Sequence, residues 1–256
     1  MEFVLGIDGG GTKTEFVVAP RRAGATRRVW AGGSSLSRRS EAEVAAELER
    51  GCRRAWEAAG AAPEECSSVC GGFASVGAHA AFYEQVLARL LPRARVRVMT
   101  DAELALYAAS GGGDGIVVIS GTGSIAWGCY TGKTVRVGGL GPGQDLGSGD
   151  WIGREAVRAG MAEAPERDDF AALIPELAGA PAAEGIFRRA GAELAALLLT
   201  CARELAWSAP AAYYAGGVLM NVALVRSALA EAWPHSLAPL PCPPAEAAAE
   251  LARADQ

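Results

Sequence analysis

The residues of this chain best suited to chemistry come in one tight run, Asp8-Gly9-Gly10-Gly11-Thr12-Lys13-Thr14. One carboxylate, one ammonium and two hydroxyls stand beside three glycines. Such a run suits phosphate: glycine lets the main chain approach closely, and N–H groups and hydroxyls hydrogen-bond the oxygens. Two familiar phosphate loops are excluded by spacing. A Walker loop needs G-x-x-x-x-G-K-[ST] between a strand and a helix, and the dinucleotide fingerprint needs G-x-G-x-x-G opening a helix. Here Gly11-Thr12-Lys13-Thr14 leads into Phe16-Val17-Val18, an apolar, β-branched run that reads as a strand. The other lysine, in Gly132-Lys133-Thr134, lacks the upstream glycine at Trp127. Phe3 to Ala19 therefore reads as a hairpin with a phosphate-suited tip, against the plainer reading of an ordinary hairpin turn.

The same pattern returns downstream. Ser120-Gly121-Thr122-Gly123-Ser124 separates the buried-looking strand Ile116–Ile119 from a second strand, Ile125 to Tyr130. Two strand–Gly/Thr turn–strand units in one chain suggest a duplicated fold of two lobes, each pointing a phosphate turn into a shared cleft. Thr100-Asp101 stands where the strand Arg95–Met99 meets a helix over Ala102–Ala109, which Asp101 is placed to cap. Gly138 to Gly153 reads GGLGPGQDLGSGDWIG, a glycine-rich loop of a length that is uncommon unless functional. Gly216-Gly217 makes a strand-to-helix turn.

These residues need elements to position them. Glu41 to Ala59 is expected as a helix capped by Ser40, burying Val44, Leu48, Cys52 and Trp56, and ended by Gly60 and Pro63. Strand Ser67–Phe73, helix Ala80–Leu91, a helix around Arg154–Ala159, a long helix Ile186–Ser208, a strand Ala211–Ala215 and a helix running to Ala232 follow, with a short alanine-rich helix at the tail. Gly111 to Gly115 marks the lobe boundary, giving lobes over 1–110 and 111–256.

Composition narrows the class. A chain of 256 residues, half of them hydrophobic, can bury one large core or two smaller ones. Its net charge of −5 argues against a nucleic-acid partner. No apolar run reaches the roughly 20 residues of a membrane span, and Met1-Glu2 leads straight into a strand, so neither a membrane partner nor a signal peptide is expected. Six scattered cysteines and two histidines do not suggest a disulfide framework or structural zinc, which fits a reducing cytoplasm.

Taken together, D-G-G-G-T-K-T, then T-D, S-G-T-G-S, G-G-x-G…G-S-G-x-W-I-G and A-G-G-V, in order from Asp8 to Asn221, resemble the N-acetylglucosamine kinase and BadF/BadG-type ATPase family of the sugar kinase, Hsp70 and actin superfamily. The resemblance implies an α/β, two-lobed, actin-like ATPase fold of the ribonuclease H-like type, with duplicated mixed sheets. It implies ATP and Mg²⁺ as cofactors and a small-molecule sugar as partner, and leaves a homodimer open. By the same resemblance, Gly10, Gly11, Thr12 and Lys13 attend the ATP phosphates, Asp8 helps hold Mg²⁺ through water, and Gly121, Thr122 and Gly123 form the second phosphate turn. Gly216 and Gly217 lie against the adenosine, and Asp101 is the general base toward the sugar hydroxyl. Gly72 with its neighbour Gly71, and Gly139, Leu140, Gly141 and Asp145, line the sugar side.

The departures fall on the sugar side. Leu36 stands where the acetylglucosamine kinases usually have a sugar-contacting Asn. Their G-G-W-G is Gly138-Gly139-Leu140-Gly141, their D-E-G-S is Asp145-Leu146-Gly147-Ser148, and the C-terminal glycine-alanine motif is blurred around Ala245 to Ala249. The expectation is an ATP-dependent kinase of a hexose, an amino sugar such as N-acetylglucosamine first. One alternative is an ATPase of the acyl-CoA dehydratase-activator type, whose iron–sulfur cluster would look to Cys66 and Cys70, better read as small core residues. The other is a non-catalytic sensor of sugar or nucleotide.

Overall fold

Nearly continuous buried runs at the start of the chain pair into a meander: β1 (Phe3–Gly9) runs antiparallel to β2 (Lys13–Pro20), and β2 antiparallel to β3 (Arg27–Gly32). Val4, Leu5, Ile7, Phe16 and Val18 are buried. Helix α1 (Glu41–Ala59) then crosses to β4 (Cys66–Phe73), parallel to β1, and α2 (Val76–Leu90) crosses to β5 (Arg95–Thr100), parallel to β4. The sheet order is β3-β2-β1-β4-β5. The computed structural model describes residues 2–22, 24–166 and 168–254.

Helix α1 follows its sequence signals closely. Val44, Leu48, Cys52 and Trp56 are buried, Ser40 and Glu43 form a reciprocal capping box, and Gly60 ends the helix with φ 62°. Helix α2 starts at Val76, earlier than expected, and carries non-helical φ/ψ at His79 that masks its first turn in the sequence.

Helix α3 (Asp101–Ser110) leads to a second set. β6 (Gly115–Ser120), β7 (Ser124–Tyr130) and β8 (Lys133–Gly138) form an antiparallel meander. After α4 (Gly149–Arg158), the short α5 (Ile174–Leu177) and α6 (Glu184–Glu204), β9 (Ala212–Ala215) joins parallel to β6. Two further helices, α7 (Gly217–Asn221) and α8 (Ala223–Ala232), lead to β10 (Leu237–Pro239), parallel to β9. The order β10-β9-β6-β7-β8 reproduces the first sheet with β6 in the place of β1. The expected duplicated mixed α/β sheets are therefore the observed fold. Each sheet has its own core, one built on Phe16, Leu48, Val69 and Leu87, the other on Ile116, Ile152, Leu194 and Leu229. Among the described residues, no helix is long and apolar enough to cross a membrane.

The chain divides into two compact units, Met1–Ala108 with Pro241–Gln256, and Ala109–Leu240. This departs from the expected division at 110, because the tail returns to the first unit. Its helix α9 (Pro244–Ala254) packs on β1 and β4, so closely that a Cβ on Gly6 would run into the carbonyl of Ala245 and the N–H of Ala249. An alanine-rich helix has small faces that fit many partners, so its sequence does not say which sheet it covers.

Candidate functional site

In the first unit, three parallel strands end side by side. Asp8 near the end of β1 is the register partner of Gly72 in β4, and Gly72 in turn pairs with Met99 in β5. Asp101 follows β5 directly as the first residue of α3. Leu104 of α3 packs on Gly72, 2.6 Å from where a Cβ would lie, which leaves no room for a side chain. The carboxyl ends of parallel strands are where open α/β sheets bind ligands.

Thr100, not Asp101, holds the helix end: the Glu103 N–H donates to Thr100 Oγ1 (3.1 Å), and the Thr100 N–H donates to Glu103 Oε2 (2.8 Å). The Asp101 carboxylate accepts the adjacent Ala102 N–H at 2.9 Å. Asp101 is also close enough to act on Asp8. Burial pushes the Asp8 carboxyl up to about 7, and the charges of Asp101 and then Glu15 add to this, while Lys13 opposes it.

The turn at 10–13 is tied on itself and to the next loop. The Gly10 N–H donates to the Lys13 carbonyl (3.0 Å), and the Gly10 carbonyl accepts the Ser34 N–H (3.0 Å). Gly10 thus shapes the turn, and its N–H is spent. Gly33 presses on the turn so tightly that a Cβ would run into the Gly11 carbonyl. The buried Thr14 hydroxyl donates to the Gly32 carbonyl, with Ser34 Oγ also within 2.8 Å of it. From α2, the Tyr83 hydroxyl donates to the Ser34 carbonyl (2.7 Å), and Ser75 Oγ lies 2.8 Å from Tyr83 and accepts the Leu36 N–H. The sequence showed Gly32–Ser35 only as a loop; its role comes from these tertiary contacts.

In the second unit, the Gly121 N–H donates to the Gly123 carbonyl (3.0 Å), while the Gly121 and Thr122 carbonyls accept from Gly149 (2.7 Å) and Asp150 (3.2 Å) in the first turn of α4. Helix α4 begins at Gly149, not near Arg154, because the Ser148 hydroxyl caps it by accepting the Trp151 N–H. Ser120 and Ser124 hydroxyls donate to the Gly147 and Leu146 carbonyls, lacing the glycine-rich loop to the turn. Gly216 has φ 93°, and a Cβ there would strike the Ser120 backbone, so this close crossing of strand ends requires glycine. Gly217 follows, with Gly121 within 4.0 Å of it measured from a Cβ position.

Asp145 is buried beneath its loop. Its Oδ1 accepts the Leu140 N–H at 2.6 Å, and the Ser124 and Gly141 N–H groups also donate to it. Burial pushes its carboxyl up; those hydrogen bonds and Arg136 pull it down. Gly139 and Gly141 both have positive φ, and Leu140 between them is 67% exposed. Leu146 is exposed as well. The structure thus gathers Asp8, Gly10–Lys13, Gly72 and Asp101 within one unit, and Gly121–Gly123, Gly139–Gly141, Asp145 and Gly216–Gly217 within the other. Cys66 and Cys70 are buried in β4, and burial pushes the Cys66 thiol to about 12, as for a small core residue.

Among the described residues, no three or more His, Cys, Asp or Glu side chains cluster as a metal cage. Asp8 suits a hard cation: a carboxyl lifted by burial and by neighbouring negative charge gains from a positive partner.

Known proteins place these features in context. The chain is 33% identical over 173 residues to an N-acetylmuramic acid/N-acetylglucosamine kinase of Clostridium acetobutylicum; the match takes 66% of this chain and 56% of that protein, so the chain spans little more than half of this curated relative. Among solved structures, a proposed N-acetylglucosamine kinase from Chromobacterium violaceum superposes with TM-score 0.75 at 25% identity, covering 98% of this chain and 99% of the other. A second, from Porphyromonas gingivalis, gives 0.76 at 20% identity over 100% and 99%, a likeness of fold. The model of the BadF/BadG/BcrA/BcrD ATPase family matches residues 5–236. With the glycine–threonine turns and the duplicated sheets that carry them, this match shows that the chain belongs to the BadF/BadG/BcrA/BcrD ATPase family.

Proposed function

We propose that this protein is an ATP-dependent sugar kinase that transfers the γ-phosphate to a hexose hydroxyl, with an amino sugar such as N-acetylglucosamine as the acceptor. The observation that carries the reading is that Asp8 and Asp101 stand at the carboxyl ends of β1 and β5, one on each side of β4, close enough for the Asp101 charge to act on Asp8. Phosphoryl transfer needs an oriented acceptor hydroxyl, a group to take its proton and positive charge on the phosphates. Asp101 takes the proton. Thr100 and Glu103 carry the helix cap, and the Asp101 carboxylate accepts the N–H of Ala102 beside it.

The N–H groups of Gly11 and Thr12, the Thr12 hydroxyl and Lys13 bind phosphate oxygens. The Gly10 N–H is engaged within the turn, so Gly10 contributes shape. In the second unit, Thr122 and Gly123 offer their N–H groups to phosphate, and Gly216 and Gly217 present a bare backbone surface to the adenosine. Bound Mg²⁺ would neutralise phosphate charge, with Asp8 holding it through water. Gly72, Gly139, Leu140 and Gly141 line the acceptor side, and Asp145 shapes that loop from beneath. The cytoplasm, where Mg-ATP is available, is its place.

A panel of hexoses and N-acetylhexosamines, assayed for ADP release from Mg-ATP, tests this. ADP formation that requires one of these sugars supports the kinase. Turnover indifferent to every sugar points to a partner-driving ATPase, and tight ATP binding with no turnover to a sensor.

A further inference from the structure

Arg38 is a residue that no sequence motif singles out, yet the fold delivers it to the first phosphate turn. A Cβ placed on Gly11 would lie 3.5 Å from Arg38 Cδ and 3.9 Å from its Nε. The side chain therefore runs along the bare backbone of Gly11, at van der Waals distance from where a Cβ would lie. Its position is not left to a mobile loop. Gly33 abuts the Gly11 carbonyl, the Ser34 N–H donates to Gly10, and Ser34 and Ser35 are buried. The Arg38 N–H donates to the Ser35 carbonyl (3.2 Å), and the hydroxyls of Ser35 and Ser37 share a hydrogen bond of 2.8 Å. Arg38 itself is exposed beside the turn.

Backbone N–H groups supply dipoles but no net charge, and Lys13 supplies a single cation. We propose that Arg38 is the second cation of this turn and binds phosphate oxygens of the nucleotide. Its planar fork can take two such oxygens in a fixed bidentate geometry, which the rotating ammonium of Lys13 does not impose. The proposal rests on the reading that nucleotide binds at this turn, and its test separates the two.

Calorimetry would measure binding of ATP, ADP and adenosine to wild type, Arg38→Gln, Arg38→Lys and Thr12→Ala. Arg38→Gln is expected to weaken ATP by about tenfold or more, to leave adenosine unchanged and to flatten the salt dependence, while keeping the melting temperature. Arg38→Lys recovers part of the loss. If Arg38→Gln keeps ATP affinity within about twofold while Thr12→Ala loses it, Arg38 has no such role and the turn reading stands. If both variants bind as wild type does, the turn reading fails and this proposal with it. A raised acceptor KM with unchanged ATP affinity would assign the guanidinium to the acceptor and overturn the proposal.

Discussion

The Asp8 carboxyl is lifted to about 7 by its burial and, next, by the negative charge of Asp101, which follows β5 on the far side of β4. The folded value lies above the ordinary 3.8, so the sign is fixed. Below about pH 4 both folded and unfolded chains carry the proton and Asp8 costs nothing. As pH rises toward 7 the unfolded chain loses its proton first, and stability falls; above 7 the penalty is complete. Urea melts in chelator from pH 4 to 8 should show Asp8→Asn losing less stability over that window than wild type. Parallel curves for the two proteins would mean that Asp8 is not so placed.

Asp101→Asn separates chemistry from folding. Thr100 and Glu103 cap α3, so the variant should melt within about 0.5 kcal/mol of wild type. It should bind ATP nearly as well, while kcat for phosphoryl transfer falls by roughly 10²–10⁴. Retained transfer removes Asp101 from the proton-accepting role.

Thr12→Ala and Thr122→Ala each remove one hydroxyl from a glycine turn whose backbone is held by its own hydrogen bonds. Each should weaken ATP by about tenfold, on the scale of one hydrogen bond to a charged group, with little change in stability. An unchanged dissociation constant for either variant would leave that turn without a phosphate role.

How much of this was legible in the sequence depends on how local the signal is. The two Gly/Thr turns, the capping of α1 and the apolar runs of β1 and β2 are written in consecutive residues, and they fold as written. The Thr100-x-x-Glu103 box at the start of α3 is equally local. The packing of Gly33 on Gly11, the hold of Tyr83 on Ser34 and the course of Arg38 join positions far apart in the chain, with no periodicity to announce them. Asp145 looks like a ligand-facing acid in sequence; only its bond to Leu140 shows it turned toward its own loop.

The return of the tail is testable on its own. Gly6→Val would force a side chain into the backbone of α9 at Ala245 and Ala249. Overpacking of this kind costs about 1–3 kcal/mol, and here it should also free the tail to proteases. Limited digestion should release residues after 240 from the variant well before wild type. Equal resistance would mean that α9 does not lie on β1.

Asp145→Ala should leave ATP affinity unchanged while raising the acceptor KM several-fold, because the loop carrying Leu140 loses its internal anchor. Faster amide exchange at Leu140 and Gly141 is the accompanying signature. Unaltered exchange there would show that the loop holds without Asp145.

Phosphorus NMR of Mg-ATP incubated with N-acetylglucosamine, in the presence of wild type or Asp101→Asn, tests the central claim most directly. The account predicts a phosphorylated sugar appearing in step with ADP for wild type, and none for an Asp101→Asn variant that still binds ATP. ADP without phosphosugar from any hexose or amino sugar, or the same product from both proteins, would contradict it.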